Sequence, residues 1–165
     1  MTHYIFRHGE TYFSKNDITY SKYLYSAEIL PESISATEKI AEFLKEKNIN
    51  KAYTSPFKRA IQTAKIITRK AKIKFETDKR IGEELINYGK ETFEEFEARI
   101  SGFVNELKSQ KFQNIAICSH GWPIAALIAL IIKDNLKKGD LGSYPKCGEL
   151  IIIKNKLVEK IDFNS

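Results

Sequence analysis

What this chain has little of narrows the field before any motif is sought. Two cysteines in 165 residues are too few for a disulfide framework, so Cys118 and Cys147 are expected to be free thiols. Cys118 also lacks the arginine that a cysteine phosphatase needs six positions on, where Ile124 stands. Long apolar runs are missing as well. The longest, Ile124 to Ile132, stops at Lys133, far short of the ~20 residues of a bilayer span, and reads as a buried helix. Met1-Thr2-His3-Tyr4 leads straight into a strand and Arg7 interrupts any hydrophobic region, so no signal peptide, no membrane partner and a cytoplasmic location are expected. The net charge of +6 is not gathered anywhere: lysines alternate with glutamates, as in Glu42 to Lys47, the pattern of solvated helix faces. Without a basic stripe or a recognisable module, no nucleic-acid partner is expected. Repeats, linkers and low-complexity tracts are absent. With 42% hydrophobic and 29% charged residues, residues 1–165 fit one compact domain.

Histidine is the scarcity that matters most. There are three, and two of them are followed by glycine and close a short apolar run. Tyr4-Ile5-Phe6 ends in Arg7-His8-Gly9-Glu10, and Ile115-Ala116-Ile117-Cys118-Ser119 ends in His120-Gly121. A guanidinium and an imidazole at a strand tip suit an oxyanion: arginine offers a planar fork of donors, histidine a nitrogen nucleophile, and glycine lets a bound group approach the backbone. These residues ask for phosphate.

Taken in order, the chain alternates strands with helices. His3 to Phe6 is a strand, followed by a long connection from Gly9 to Ile34 rich in Tyr12, Phe13, Tyr20, Tyr23 and Tyr25, which either covers the site or packs over the domain edge. Ser35-Ala36-Thr37-Glu38 reads as a capping box opening a helix from about Ala36 to Lys47. After the strand Lys51 to Thr54, Ser55 caps, Pro56 suits the first helical position, and Arg59 lies in the first turn, for an anion or for a surface ion pair. A short strand within 71–77 contains Ile73 and Phe75, and an acidic loop follows through Glu83 and Glu84. Thr92 and Glu95 form a second capping box, with Phe96, Ile100, Phe103, Val104 and Leu107 along one face of a helix ending near Ser109. The strand Ile115 to Ser119 precedes a helix opening near Pro123. A loop with Pro145 leads to a terminal hairpin, Glu149 to Ile153 and Leu157 to Phe163, turning at Asn155. The pattern implies an α/β three-layer sandwich, a largely parallel central sheet flanked by helices with a C-terminal hairpin. In such folds ligands gather at the carboxyl ends of strands, where Arg7, His8, Arg59 and His120 all fall.

Arg7-His8-Gly9-Glu10-Thr11, Ser55-Pro56-Phe57-Lys58-Arg59-Ala60-Ile61-Gln62-Thr63-Ala64 and Ser119-His120-Gly121, in that order, resemble the histidine phosphatase superfamily, in the branch shared with phosphoglycerate mutases. The resemblance implies a histidine acid-type phosphatase, a phosphoric monoester hydrolase for phosphorylated small molecules, with His8 as nucleophile and Arg7, Arg59 and His120 holding the phosphoryl group. It also implies an acid after the third strand: Ile81-Gly82-Glu83 matches the family's Leu-x-Glu pattern, with Glu84 as competitor. The family's glycine and tryptophan just beyond are missing, and Ser14 stands where its asparagine belongs. No cofactor and no metal site are expected, because two arginines beside a divalent cation would repel it. The open alternatives are a mutase, a phosphohistidine-protein phosphatase, and a domain that only binds phosphorylated ligands. The oligomeric state is not legible.

Overall fold

The computed structural model describes residues 1–165. Strands β1 (Thr2–Arg7), β2 (Lys51–Thr54), β3 (Glu76–Thr77), β4 (Asn114–Ser119), β5 (Glu149–Lys154) and β6 (Leu157–Asp162) form one sheet in the order β3-β2-β4-β1-β5-β6. The first four run parallel; β5 is antiparallel to β1, and β6 to β5. Helices α1 (Tyr12–Lys15), α2 (Ile34–Lys45), α3 (Lys58–Ala71), α4 (Phe93–Ser109) and α5 (Gly121–Lys133) complete the chain. This is the layered α/β architecture with its C-terminal hairpin that the alternation of strands and helices implies.

The two outer layers follow from the pleat, which sends successive side chains to opposite faces. Tyr4, Phe6, Ala116 and Cys118 pack on one face with Ile40, Ala41 and Leu44 of α2 and Ala60 and Ile67 of α3. Ile5, Ile115 and Ile117 pack on the other with Phe96, Ile100, Phe103 and Leu107 of α4 and Ile124, Leu127 and Leu130 of α5. Each fully buried Ile, Leu or Phe contributes about 1.5–3 kcal/mol, so the sheet is fixed from both sides. A third, smaller cluster of Tyr20, Leu24, Ala27 and Phe57 seats the long connection on the start of α3. No helix is long and apolar enough to cross a membrane.

Several local expectations are corrected. The capping box at Ser35 does not form: Pro31 opens a 3₁₀ turn, Pro31–Ser33, that runs directly into α2 at Ile34. Ser35 is thereby already inside the helix. The box at Thr92 does form, Thr92 Oγ1 accepting from the Glu95 N–H (3.1 Å) and Glu95 Oε2 from the Thr92 N–H (2.8 Å). Strand β3 has only two residues, since α3 runs to Ala71 and ends on a left-handed Lys72 (φ 61°); Ile73 and Phe75 pack on the core without pairing in the sheet. Helix α3 begins at Lys58, behind Phe57, so Pro56 precedes it. Helix α5 opens at Gly121, with Pro123 inside its first turn. The hairpin turns on Asn155 and Lys156, both at positive φ (51° and 63°), which suits a two-residue primed turn.

Candidate active site

Two of the four candidate residues are made neighbours by the sheet itself. Strands β1 and β4 pair in parallel with Arg7 opposite Ser119, so the residues that follow, His8 and His120, leave the sheet side by side. The His8 N–H donates to the Ser119 carbonyl (3.1 Å), and the imidazole centroids lie 5.1 Å apart. β2 flanks β4 on the other side, and the Ser55 N–H donates to the Cys118 carbonyl (3.0 Å). The chain then turns into α3, whose second residue, Arg59, reaches His8. His8, Arg59 and His120 are wholly buried, and Arg7, the last residue of β1, is partly exposed beside them.

A hydrogen bond holds each ring, and that of His8 fixes its state. His8 Nδ1 is 2.8 Å from the Gly9 carbonyl, an acceptor only, so Nδ1 carries the proton and Nε2 the lone pair. That lone pair accepts from Arg59 Nε–H at 3.2 Å. Arg59 also donates through Nη1 to the Leu24 carbonyl (2.6 Å) and through Nη2 to Glu83 Oε2 (3.1 Å). His120 Nε2 is 2.6 Å from Ser55 Oγ, and Ser55 Oγ also accepts the Phe57 N–H (3.2 Å). With the Ser55 hydroxyl donating to Nε2, the His120 proton sits on Nδ1. This nitrogen is buried without a hydrogen-bond partner, 3.5 Å from Glu83 Oε2. The site thus presents one imidazole as a lone pair and the other as a donor.

Electrostatics reinforce this. Burial first, then Arg59 and Arg7, push the His8 pKa well below the ordinary histidine value; burial, Arg59 and His8 do the same to His120. With its pKa held low, His120 needs no charge to meet a phosphate: it can donate through Nδ1–H as the neutral ring. Burial raises the Glu83 carboxyl above its ordinary value, and Arg59 draws it part of the way back. Glu84 is turned elsewhere, its carboxylate accepting the Asn87 N–H (3.0 Å) and side-chain amide (2.9 Å). Of the two adjacent acids, only Glu83 reaches His120 and Arg59.

Some contributors carry no sequence signal. The Tyr20 ring lies under the Arg59 guanidinium, 4.0 Å from its carbon, and Leu24 supplies a carbonyl to it, so the long connection neither simply covers the site nor simply pads the edge: it orients Arg59. Thr63, one turn after Arg59 in the second motif, accepts the Gly9 N–H (2.8 Å) and donates to the Arg59 carbonyl (2.7 Å); that spacing on one helix face is a signal the sequence does contain. Gly9 has a packing role, because a Cβ there would stand 2.8 Å from Ser33 Oγ and 3.2 Å from Ile29. Gly121 is likewise closed off, by the Tyr144 ring at 2.8 Å, and Tyr144 also faces the Arg7 guanidinium (5.4 Å). No group of three or more His, Cys, Asp or Glu side chains is placed to hold a metal ion. His8 Nε2 and Glu83 Oε2 both accept hydrogen bonds from Arg59, a cation lying between them.

The family described as the histidine phosphatase superfamily (branch 1) matches residues 3–90 and 84–152. The chain is 24% identical over 161 residues to "Putative phosphoserine phosphatase 2" of Hydrogenobacter thermophilus, covering 78% of this chain and 77% of that protein. The crystal structure of the alpha-ribazole phosphatase from Shigella flexneri superposes with a TM-score of 0.77 at 20% identity, covering 100% of this chain and 96% of that one. A phosphoglycerate mutase from Bacillus anthracis gives 0.68 at 18% identity, over 99% and 93%. At such identities the two structures speak for the fold alone.

Proposed function

The chain belongs to the histidine phosphatase superfamily, branch 1, and from that premise we propose that it hydrolyses phosphomonoesters of small molecules through a phosphohistidine on His8, with Glu83 as general acid and base. The observation that carries this reading is the state of His8: Nδ1 is tied to the Gly9 carbonyl (2.8 Å), and the free lone pair on Nε2 faces Arg59 (3.2 Å). In the first step Nε2 attacks phosphorus, the ester P–O bond breaks, and Glu83 gives its proton to the departing oxygen. In the second step water attacks the phosphohistidine, the N–P bond breaks, and Glu83 takes the proton back. Arg7, Arg59 and the His120 Nδ1–H surround the equatorial oxygens, where electrostatic stabilisation is the largest contribution to phosphoryl transfer. Because Arg59 donates to the nucleophile itself, an arriving phosphoryl group has to draw that guanidinium onto its own oxygens before the lone pair can attack.

Nothing in these steps calls on a metal, and Arg59 already supplies positive charge between His8 and Glu83. Hydrolysis of p-nitrophenyl phosphate undiminished by a chelator, lost in His8→Ala, and accompanied by an acid-labile phosphoenzyme is the expected result. Activity lost on chelation and restored by a divalent metal would overturn the proposal. Transfer between positions of a phosphoglycerate, faster than release of inorganic phosphate, would instead make the protein a mutase.

A further inference from the structure

Helix α4 carries a guanidinium that the chemistry above does not use. Arg99 is mostly buried, with 18% of its side chain exposed, and faces the back of the segment that bears Glu83. Its Nη1 donates to the carbonyls of Arg80 (2.6 Å) and Gly82 (3.0 Å), and its Nη2 to the carbonyl of Glu83 itself (2.9 Å). Its Nε donates to Glu91 Oε1 (2.5 Å) and Nη2 to Oε2 (3.1 Å). Glu91 Oε2 in turn accepts the Leu85 N–H (3.0 Å). Between β3 and α4 the chain has no strand and only two 3₁₀ turns, Lys79–Ile81 and Ile86–Tyr88. Regular backbone pairing therefore does not fix residues 82–85. The Arg99 and Glu91 pair does so from the side, satisfying carbonyls and an N–H that burial would otherwise strand.

We propose that Arg99 is a positioning residue for the proton transfer: by gathering the carbonyls of residues 80, 82 and 83, with Glu91 as its counterion, it sets the point from which the Glu83 carboxyl reaches the leaving oxygen. This rests on the reading of Glu83 as the general acid. Arg99 commits its hydrogen bonds to backbone carbonyls and to Glu91, two from Nη1, two from Nη2 and one from Nε, which leaves no donor for a phosphate. Lysine cannot replace it, because one ammonium lacks the planar fork that spans carbonyls on one side and a carboxylate on the other.

The test uses leaving groups that differ in their need for a proton. p-Nitrophenolate departs unprotonated, whereas the alkoxide of β-glycerophosphate does not, and kcat/KM reports the steps up to formation of the phosphoenzyme. Full-length Arg99→Lys and Glu91→Gln are compared with the parent and with Glu83→Gln on both esters. Misplacing a catalytic group by about 1 Å costs on the order of 10²-fold; Arg99→Lys is expected to lose about that on β-glycerophosphate and only a few-fold on p-nitrophenyl phosphate, with Glu91→Gln following the same pattern more weakly. Equal losses on the two esters, or none, overturn the proposal, since a purely structural role lowers both alike. If Arg99→Lys does not fold, the ratio measured on Glu91→Gln decides in the same way. A Glu83→Gln variant that fails to discriminate the two esters removes Glu83 as the acid, and the positioning role with it. A parent that hydrolyses neither ester removes the phosphatase reading as well.

Discussion

At the scale of the residue, the site depends on two imidazoles held in opposite roles by neighbours that cost the chain no extra charge. A main-chain carbonyl assigns the tautomer of His8, and a serine hydroxyl that also accepts a backbone N–H holds Nε2 of His120. The pH dependence of activity should follow from the acid. Because His8 resists protonation, acidification leaves the proposed nucleophile competent, while the raised Glu83 pKa keeps the proposed acid protonated past the ordinary carboxyl range. On an alkyl ester kcat/KM is therefore expected to fall as pH rises through the Glu83 pKa, and Glu83→Gln should abolish that limb along with about 10²–10⁴-fold of the rate. A limb that persists unchanged in the variant belongs to another group. Arg7, His8, Arg59 and His120 were legible together because Arg7 ends β1, His8 and His120 directly follow β1 and β4, and Arg59 lies in the first turn of the helix after β2. The choice between Glu83 and Glu84 was not: adjacent acids differ only in what they meet in space, Arg59 for one and Asn87 for the other.

At the scale of the element, helix ends show where sequence patterns carry the fold and where context overrides them. Thr92 and Glu95 cap α4 as their spacing implies, but the equivalent pattern at Ser35 is bypassed by a turn that Pro31 begins upstream. The apolar Ile73 and Phe75 signal burial correctly and strand pairing incorrectly, since a partly buried side chain needs no hydrogen-bonded neighbour. The end of α3 offers a direct test. Lys72 closes the helix in the left-handed region (φ 61°), its N–H donating to the Thr68 carbonyl (3.0 Å), a conformation that costs a residue with a Cβ roughly 1 kcal/mol or more. Lys72→Gly is expected to stabilise the protein by about 0.5–1 kcal/mol after the entropy that glycine adds to the unfolded chain, a rise of roughly 1–4 °C in Tm at this length. Calorimetry showing a lower Tm would mean that the Lys72 side chain contributes more than its backbone costs.

At the scale of the whole molecule, all three histidines are held neutral by burial: His3 is brought down to about 4, and His8 and His120 lie well below the ordinary value. In the unfolded chain they titrate near 6.5. Between the two values the unfolded chain binds more protons than the folded one, so stability is full above about pH 6.5 and falls as the solution is acidified. His3 alone accounts for on the order of 3 kcal/mol between about pH 6.5 and 4. Glu83 acts in the opposite sense, since its raised pKa favours the fold only while it stays protonated. Urea titrations at a series of pH values should show the acid-side loss, and His3→Phe should flatten part of it; a His3→Phe profile parallel to the parent's would assign the loss to the two site histidines.

Arg59 spreads its three nitrogens over His8, the Leu24 carbonyl and Glu83, groups that lie 51, 35 and 24 residues away from it along the chain. No fragment containing one or two of these segments possesses the centre, and a collapsed intermediate with its helices formed but its loops undocked would be inert. During refolding from denaturant, catalytic recovery is consequently a clock for the final docking event, running behind the return of secondary structure, and a sample that has regained its circular dichroism has not thereby regained its function.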